Sequence, residues 1–412
     1  MTPTAIAEPA CPPEQKTSVA KDAPIGRRRL VAVRRSFDSI PRDAWEALAD
    51  RNPWVTPFSR WAFHRAWWDA YASEAHDQTL VVVDPRTADP RDPAAELVAI
   101  APLMHRHEVE PSDELTRTRI RHGRETNLTP VPPTAKAVFM GASYHADYAT
   151  FLTDPADVLA VTDAVAEQLS EQRSEPEAEG ELPWDVVDLR RLRCGDPVAD
   201  GLALAFGRRE TSCAWTLNVE REDVCPVLTL REGIDFEGYL DTLGKKERHE
   251  IRRKIRRAEV AGPIELTESR DPLGDVEGFT DLHQKRWSAE GLFPPTPGGE
   301  RSRVFLRRMF EEFGPDGMLR LSFLSVGDRR VAAGLHFDDG GTLSFYNAGI
   351  DPDAKSLSPG ILLAAWYVKL AVGLGRRRLD FLRGDEPYKY EWGAVNEPIQ
   401  RILVRRTGDE PR

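Results

Sequence analysis

The chain has 412 residues, 41% hydrophobic and 30% charged, the balance of a soluble globular protein of two to three domains at ~150 residues each. Its 56 basic and 67 acidic residues leave a net −11, which argues against a generic nucleic-acid binder, and no run of about 18 apolar residues marks a membrane span. The N-terminus lacks the apolar core of a secretory signal. The four cysteines (Cys11, Cys194, Cys213, Cys225) form no Cys-x-x-Cys pair, so neither a zinc ribbon nor a disulfide scaffold is expected and the chain reads as cytoplasmic.

Residues 1–27 are rich in Pro, Ala, Thr and Lys without apolar periodicity and are expected to form a disordered tail. A strand is predicted at Leu30–Val33, a short helix around Trp45 and Leu48, and a second helix over Arg60–Ala72. The aromatic stripe of that second helix (Trp61, Phe63, Trp67, Trp68, Tyr71) reads as core. Strands follow at Thr79–Val83 and Glu96–Leu103, joined by a polar loop over Asp84–Pro93, and another at Val138–Met140. Next come a helix over Asp157–Leu169, an acidic loop at 171–181, a strand over Trp184–Leu189 and a helix over Val198–Phe206. The second half is expected to begin near Cys225-Pro226. Phe236–Val260 reads as one long helix or two abutting ones, followed by helices at Phe279–Ala289 and Arg303–Phe313. Leu319–Val326, Arg330–Phe337 and Thr342–Ile350 form a meander, with turns at Gly327-Asp328 and Asp339-Gly340-Gly341. A helix over Gly360–Val372, a strand over Arg378–Leu382 and a strand near Gln400–Val404 complete an α/β pattern.

Three segments carry chemistry. Ser358-Pro359-Gly360 opens an apolar helix directly after a strand, and a helix start offers unpaired N–H groups and partial positive charge to a phosphate. The same residues also simply start helices, and neither a Walker loop nor Gly-x-Gly-x-x-Gly is present. KKERHEIRRKIRR (Lys245–Arg257) sets eight Lys/Arg against two Glu, with Ile251 and Ile255 on one apolar side. It suits a structural or inter-domain face, a cofactor phosphate, an acidic substrate or RNA. Third, Tyr388, Lys389, Tyr390 and Trp392 follow the strand end at Asp380–Gly384, so a proton donor and a cation leave the sheet together. Tyr388 and Trp392 equally suit the packing of a terminal helix.

Other candidates are weaker. His105 and His107 lack a third metal ligand, and Tyr144–Tyr148 suits a turn or, alternatively, a site remnant. His283 and Trp287, at i, i+4 around Arg286, suit core packing with a polar edge. No Gly-x-Ser-x-Gly elbow points to a serine hydrolase.

The strings YLDTLGKKERHEIRRKIRRAE, DLHQKRW, YNAGIDPDAKSLSPGILL and LDFLRGDEPYKYEWG, in that order, resemble landmarks of the GNAT-like acyltransferases of the CelD/BcsL type, also called BioF2-like. That family is related to the Fem-type (FemAB-like) aminoacyl transferases. The resemblance spans roughly Phe236–Arg406, and more loosely the first half through TPFSRWAFHRAWWDAY, LVAIAPLM and GASYHADYATFL.

The resemblance implies an α/β (α+β) fold of tandem GNAT-like domains, each a mixed, mostly antiparallel twisted sheet with helices on both faces. The expected division is 28–225 for a degenerate N-terminal domain and 226–412 for the acyltransferase domain. It implies acyl-CoA, acetyl-CoA first, with the pyrophosphate on Ser358, Pro359, Gly360 and Ile361, and no metal. This turn departs from the Arg/Gln-x-x-Gly-x-Gly/Ala loop of typical GNAT enzymes in having a single glycine.

The expected reaction moves an acyl group to an amine or hydroxyl of a small molecule or saccharide. Tyr388 would donate a proton, Lys389 stabilise charge and Asp380 orient or act as base, with His283, Trp287 and Tyr346 against the acceptor. Two alternatives are an aminoacyl-tRNA-dependent Fem-like transferase, with tRNA on the basic helix 245–257, and a catalytically silent double-GNAT scaffold.

Overall fold

The computed structural model describes residues 29–106, 119–120, 124–125, 128–132, 135–143, 145–171, 184–288, 291–314 and 316–407. The expected tail at 1–27, His107, Tyr144 and residues 172–181 of the acidic loop lie outside the described residues.

The first half runs β1 (Val31–Arg34), α1 (Arg42–Arg51), α2 (Trp61–Tyr71), β2 (Ala75–Asp77), β3 (Leu80–Val83), β4 (Ala99–Ala101) and β5 (Leu103–Arg106). It continues with β6 (Arg119–Ile120), β7 (Arg124–Glu125), β8 (Ala137–Met140), β9 (Leu152–Thr153), α3 (Val158–Glu171), β10 (Val186–Arg193), α4 (Pro197–Gly207) and α5 (Glu210–Cys213). The second half runs β11 (Trp215–Thr229), α6 (Phe236–Thr242), α7 (Lys245–Ala261), β12 (Ile264–Glu268), α8 (Pro272–Trp287) and α9 (Pro297–Phe313). The meander β13 (Leu319–Val326), β14 (Arg329–Asp338) and β15 (Thr342–Ile350) follows, then α10 (Pro359–Gly373), β16 (Arg378–Asp380), α11 (Pro387–Glu391) and β17 (Val395–Arg406).

Eleven strands form one mixed sheet in the order β12-β13-β14-β15-β16-β11-β17-β10-β8-β5-β2, beside a four-stranded sheet β1-β3-β4-β9. Its pairings are antiparallel except β8–β10 and β15–β16. The last strand, β17, lies between β11 and β10, so it ties the two halves into one sheet.

Two sequence expectations change. Glu96–Leu103 is not one strand: Pro102 has no N–H to give to a ladder, and the chain bends there, sending β4 to one sheet and β5 to the other. The 225/226 division falls inside β11, where Pro226 is tolerated because its carbonyl still accepts from the Phe381 N–H at 3.0 Å. Strands β2, β9 and β12 are too short or too exposed to announce themselves by alternation.

Helices cover both faces of the second-half sheet. On one face, Ile251, Ile255 and Ala258 of α7 pack with α10, whose sequence is apolar all round because it is covered on several sides. On the other face lie α8, α9 and, from the first half, α2. The aromatic stripe of α2 is core, as its pattern predicts: Phe63 meets Phe305 of α9 edge-on at 5.4 Å, and Tyr71 shares a hydrogen bond with Ser302 at 3.1 Å. Burying each such ring contributes ~1.5–3 kcal/mol, so this seam welds the halves together. Among the described residues no helix is long and apolar enough to cross a membrane.

Candidate active site

The site begins where two parallel strands part. β15 and β16 pair over only three positions, Thr342–Ser344 against Arg378–Asp380. β15 then runs on to Ile350 along β14, while the chain after Asp380 leans the other way, with the Phe381 and Gly384 N–H groups bonded to the Pro226 and Val224 carbonyls of β11. Left-handed backbone at Leu382 (φ 56°) and Gly384 (φ 106°) makes that departure sharp. A wedge is left in the sheet, and α10 starts at its edge.

A cavity of about 460 Å³ fills the wedge. Phe345, Ala348 and Ile350 of β15 form one wall, Ser358, Pro359, Gly360, Ile361 and Leu363 another, with Tyr388 of α11 and Arg286 of α8 closing it. The structure thus brings the four residues expected to meet the carrier together with Tyr388. Fewer amides are bare than a generic helix start implies. Pro359 has no N–H, and those of Ile361 and Leu362 turn back to the Ser358 carbonyl at 3.0 and 3.2 Å. The Gly360 N–H is the one left for an anion, and a Cβ at Gly360 would lie 3.2 Å from the Ile350 Cδ1 across the wedge.

Positive charge arrives instead from side chains. Ser358 sits in left-handed backbone (φ 56°) and does not cap its own helix; its Oγ accepts a 2.6 Å hydrogen bond from Arg257 of the basic helix. Lys355 and Arg286 stand at the same cavity, while Asp351, also on its lining, is engaged by Arg329 at 2.6 Å. Arg286 is placed there because α8 crosses β15 at Gly349, where a Cβ would come within 2.5 Å of the His283 backbone nitrogen. The result is a cationic mouth over an apolar gullet, a shape that suits a phosphorylated head on a thin neutral arm.

Tyr388 stands edge-on to Phe381 at 6.0 Å, and burial, then the Glu386 carboxylate, pushes its phenol well above the ordinary tyrosine value. It remains protonated at neutral pH and is a donor by default.

Lys389 is elsewhere, and the expected electrostatic role is corrected. It is 3% exposed, absent from the cavity wall, and its Nζ donates to the Leu382, Arg383 and Gly384 carbonyls at 3.0, 3.1 and 2.8 Å while pairing with Glu386 at 3.0 Å. It clamps the left-handed turn onto α11.

Asp380 ends β16 on the opposite face from the cavity. Leu379 and Phe381 beside it point into the α7/α10 core, whereas Asp380 accepts from the Tyr148 hydroxyl and the Leu382 N–H, both at 2.8 Å. Burial lifts its carboxyl to about 6, only partly offset by those two hydrogen bonds. A carboxyl poised close to neutrality at a strand break is the strongest base candidate in this region.

None of the expected acceptor contacts lines this cavity, although His283 and Trp287 meet ring to ring at 6.4 Å. Tyr346 spends its hydroxyl on the His145 carbonyl at 2.9 Å, bridging the halves against Phe58 and Phe337. His283 packs against Phe279 and Phe293, and burial followed by Arg286 lowers it to about 4, so it is neutral core. Trp287 carries the Arg286 guanidinium over its ring at 4.7 Å. Sequence reasoning placed Arg286 only beside His283 and Trp287, Tyr148 only in a string that suits a turn or a site remnant, and Arg257 only within a basic helix. Tyr148's sole signal was its place in a polar-aromatic string. No group of three or more His, Cys, Asp or Glu fit to hold a metal occurs among the described residues.

No curated protein shares significant sequence similarity with the chain. Among solved structures, FemX is similar with a TM-score of 0.53 at 9% identity, covering 88% of this chain and 96% of that one. L-PGS from Bacillus licheniformis gives 0.46 at 11% identity over 89% and 91% of the two chains. A tandem GNAT protein from the clavulanic acid biosynthesis pathway gives 0.43 at 10% over 93% and 100%. At these identities the FemX likeness speaks for the fold alone. Residues 245–390, which hold Arg257, the Ser358–Ile361 turn, Asp380 and Tyr388, match the family described as Acetyltransferase (GNAT) domain.

Proposed function

We propose that the chain is an acyltransferase that moves an acyl group, acetyl in the first instance, from a CoA thioester to an amine or hydroxyl of a small molecule or saccharide. The observation that carries this reading is the wedge between β15 and β16, open at the start of α10 and framed by Arg257, Lys355 and Arg286. The diphosphate lies at the Gly360 amide and the Arg257–Ser358 pair, and the pantetheine arm runs along Phe345 and Ile350. The acceptor's nitrogen or oxygen attacks the thioester carbonyl, the C–S bond breaks, Asp380 takes the acceptor's proton and Tyr388 protonates the departing thiolate. Holding both reactants at the strand break supplies much of the rate.

The test is thiol release by the purified chain across a panel of acetyl-, succinyl- and longer acyl-CoA. Tyr388→Phe should lower kcat by about 100-fold, the scale of general acid catalysis, with KM for the thioester little changed. Unchanged turnover removes the assignment of Tyr388.

One observation favours a second donor. Lys245, Lys246 and Arg256 of α7 make no ion pair among the described residues, so the helix whose Arg257 reaches the cavity mouth keeps free charge along its length. An aminoacyl-tRNA donor would use it, and activity would then fall steeply with salt and vanish with RNase. The catalytically silent scaffold predicts neither thiol release nor CoA binding.

A further inference from the structure

A second cavity, of about 540 Å³, lies in the seam between the halves, lined by Trp54, Arg193, Cys194, Arg378, Asn396 and Glu397. It opens on the sheet face that carries Asp380, opposite the wedge. Arg378 is two residues from Asp380 on the same strand and therefore on the same face, and Cys225, paired with Glu397 on β17, faces the Tyr148–Asp380 pair. Tyr148 joins the two places directly: its hydroxyl bonds Asp380, and the Arg193 guanidinium covers its ring at 5.1 Å.

The chemistry of this cavity is that of a bifunctional ligand. Arg193 is held flat between Trp54 (4.8 Å) and Tyr148, donates to the Trp54 carbonyl, and makes no ion pair among the described residues. A guanidinium oriented by two rings and lacking a carboxylate is a preformed anion contact. On the lining of the same cavity the charge changes sign at Glu397, which Arg378 touches through one 2.8 Å bond, leaving its second carboxylate oxygen for a cation. Opposite charges fixed on one wall of a small cavity match a molecule that carries both.

We infer that this cavity is the acceptor site and that its ligand is a small amino carboxylate, an amino acid or a molecule ending in one, with the carboxylate on Arg193 and the amine turned toward Glu397 and Asp380. The inference rests on the acyltransferase reading for the word acceptor, but not for the binding. The donor reaches the strand break from one face of the sheet and the amine from the other. The amine enters as an ammonium ion and gives one proton to ionised Asp380. The neutral amine then attacks the thioester carbonyl, the C–S bond breaks, and Tyr388 protonates the departing sulfur and is restored by the proton released from nitrogen. The products are the amide, the free thiol and protonated Asp380, which returns its proton to solvent.

Cys194, half-buried on the cavity wall and outside any disulfide, is a built-in reporter. The experiment follows iodoacetamide labelling of Cys194 by peptide mass mapping in the full chain, with glycine, L-glutamate, L-lysine and L-phenylalanine as probes. Propionate and ethylamine are the single-charge controls. At least one amino acid should slow labelling by about tenfold where neither control does, and Arg193→Gln should abolish the protection while Arg193→Lys retains part of it. Labelling of Cys213 serves as the internal control for reagent and folding. Equal protection by propionate, or none by any probe, overturns the inference. CoA titration of the same samples separates the two claims: CoA binding without Cys194 protection defeats this site alone, and protection without CoA binding defeats the donor reading alone.

Discussion

The two halves solve the same topological problem in opposite ways. Each contains a strand, a helix and a second strand parallel to the first, and in each the parallel pair holds for only three positions: Ala137–Phe139 with Val186–Asp188, and Thr342–Ser344 with Arg378–Asp380. In the second half the strands then part and the wedge stays open. In the first half the chain after β8 fills it: Ala149 bridges to Leu192, its N–H bonds the Arg191 carbonyl at 2.9 Å, and Ala146, Tyr148 and Phe151 are buried there. A split sheet is therefore not in itself a site. It becomes one when nothing of the chain's own occupies the gap, and here the plug of one half delivers Tyr148 to Asp380 of the other.

The comparison is broken most severely at Lys389. If that ammonium is a clamp, Lys389→Ala strands three carbonyls and unpairs the half-buried Glu386 carboxylate and should cost about 3–5 kcal/mol in denaturant unfolding, at ~1–1.5 kcal/mol for each lost bond. Tyr388→Phe, one residue away but facing the cavity, should leave stability within about 1 kcal/mol, because its hydroxyl has no hydrogen-bonded partner among the described residues. Similar melting of the two variants would contradict the division of labour.

The plug is tested by Tyr148→Phe. Losing a buried donor to Asp380 should cost about 1–3 kcal/mol. It should also move the acid limb of the pH–rate profile upward from about 6, because the hydrogen bond favours the carboxylate form and its removal raises the carboxyl further. An unmoved limb would free Asp380 from its role as base.

Charge at the wedge is sharpened by a pair of arginines on one helix. Arg257→Ala should weaken CoA binding by about tenfold, whereas Arg253→Ala, whose partner is the exposed Glu250, should change it by less than about twofold.

Much of this was legible beforehand because it depends on local order. The meander turns at Gly327-Asp328 and Gly340-Gly341, the amphipathic Ile251/Ile255 face and the helix start at Pro359 are all set by residues within a few positions of one another. So was the pairing of the Ser358–Ile361 turn with Tyr388, since both stand where strands end. The direction of Lys389 was not legible, because it is decided by carbonyls that only a left-handed turn exposes. Tyr346 and His283 looked available for an acceptor because sequence does not say that α8 and the first half lie on that face. The continuity of β11 was hidden by Pro226, a residue that reads as punctuation unless its neighbours on both sides are known.

The smallest effect concerns His283. Buried and neutral, it takes up a proton in the unfolded chain near 6.5 but in the folded one only near 4, so the unfolded state binds more protons between those values and stability falls as pH falls through them. His283→Phe should shrink the loss of thermal stability between pH 7 and pH 5 while leaving turnover unchanged. Reduced turnover would restore His283 to the acceptor contacts.

The central claim is that the wedge of the second half receives a CoA carrier at the start of α10, and calorimetric titration of the whole chain with CoA tests it most directly. The expected result is saturable binding at one site, weakened by about 100-fold or more in Gly360→Trp, whose side chain must enter the gap against Ile350. Absence of binding, or binding untouched by that substitution in a folded variant, would contradict it.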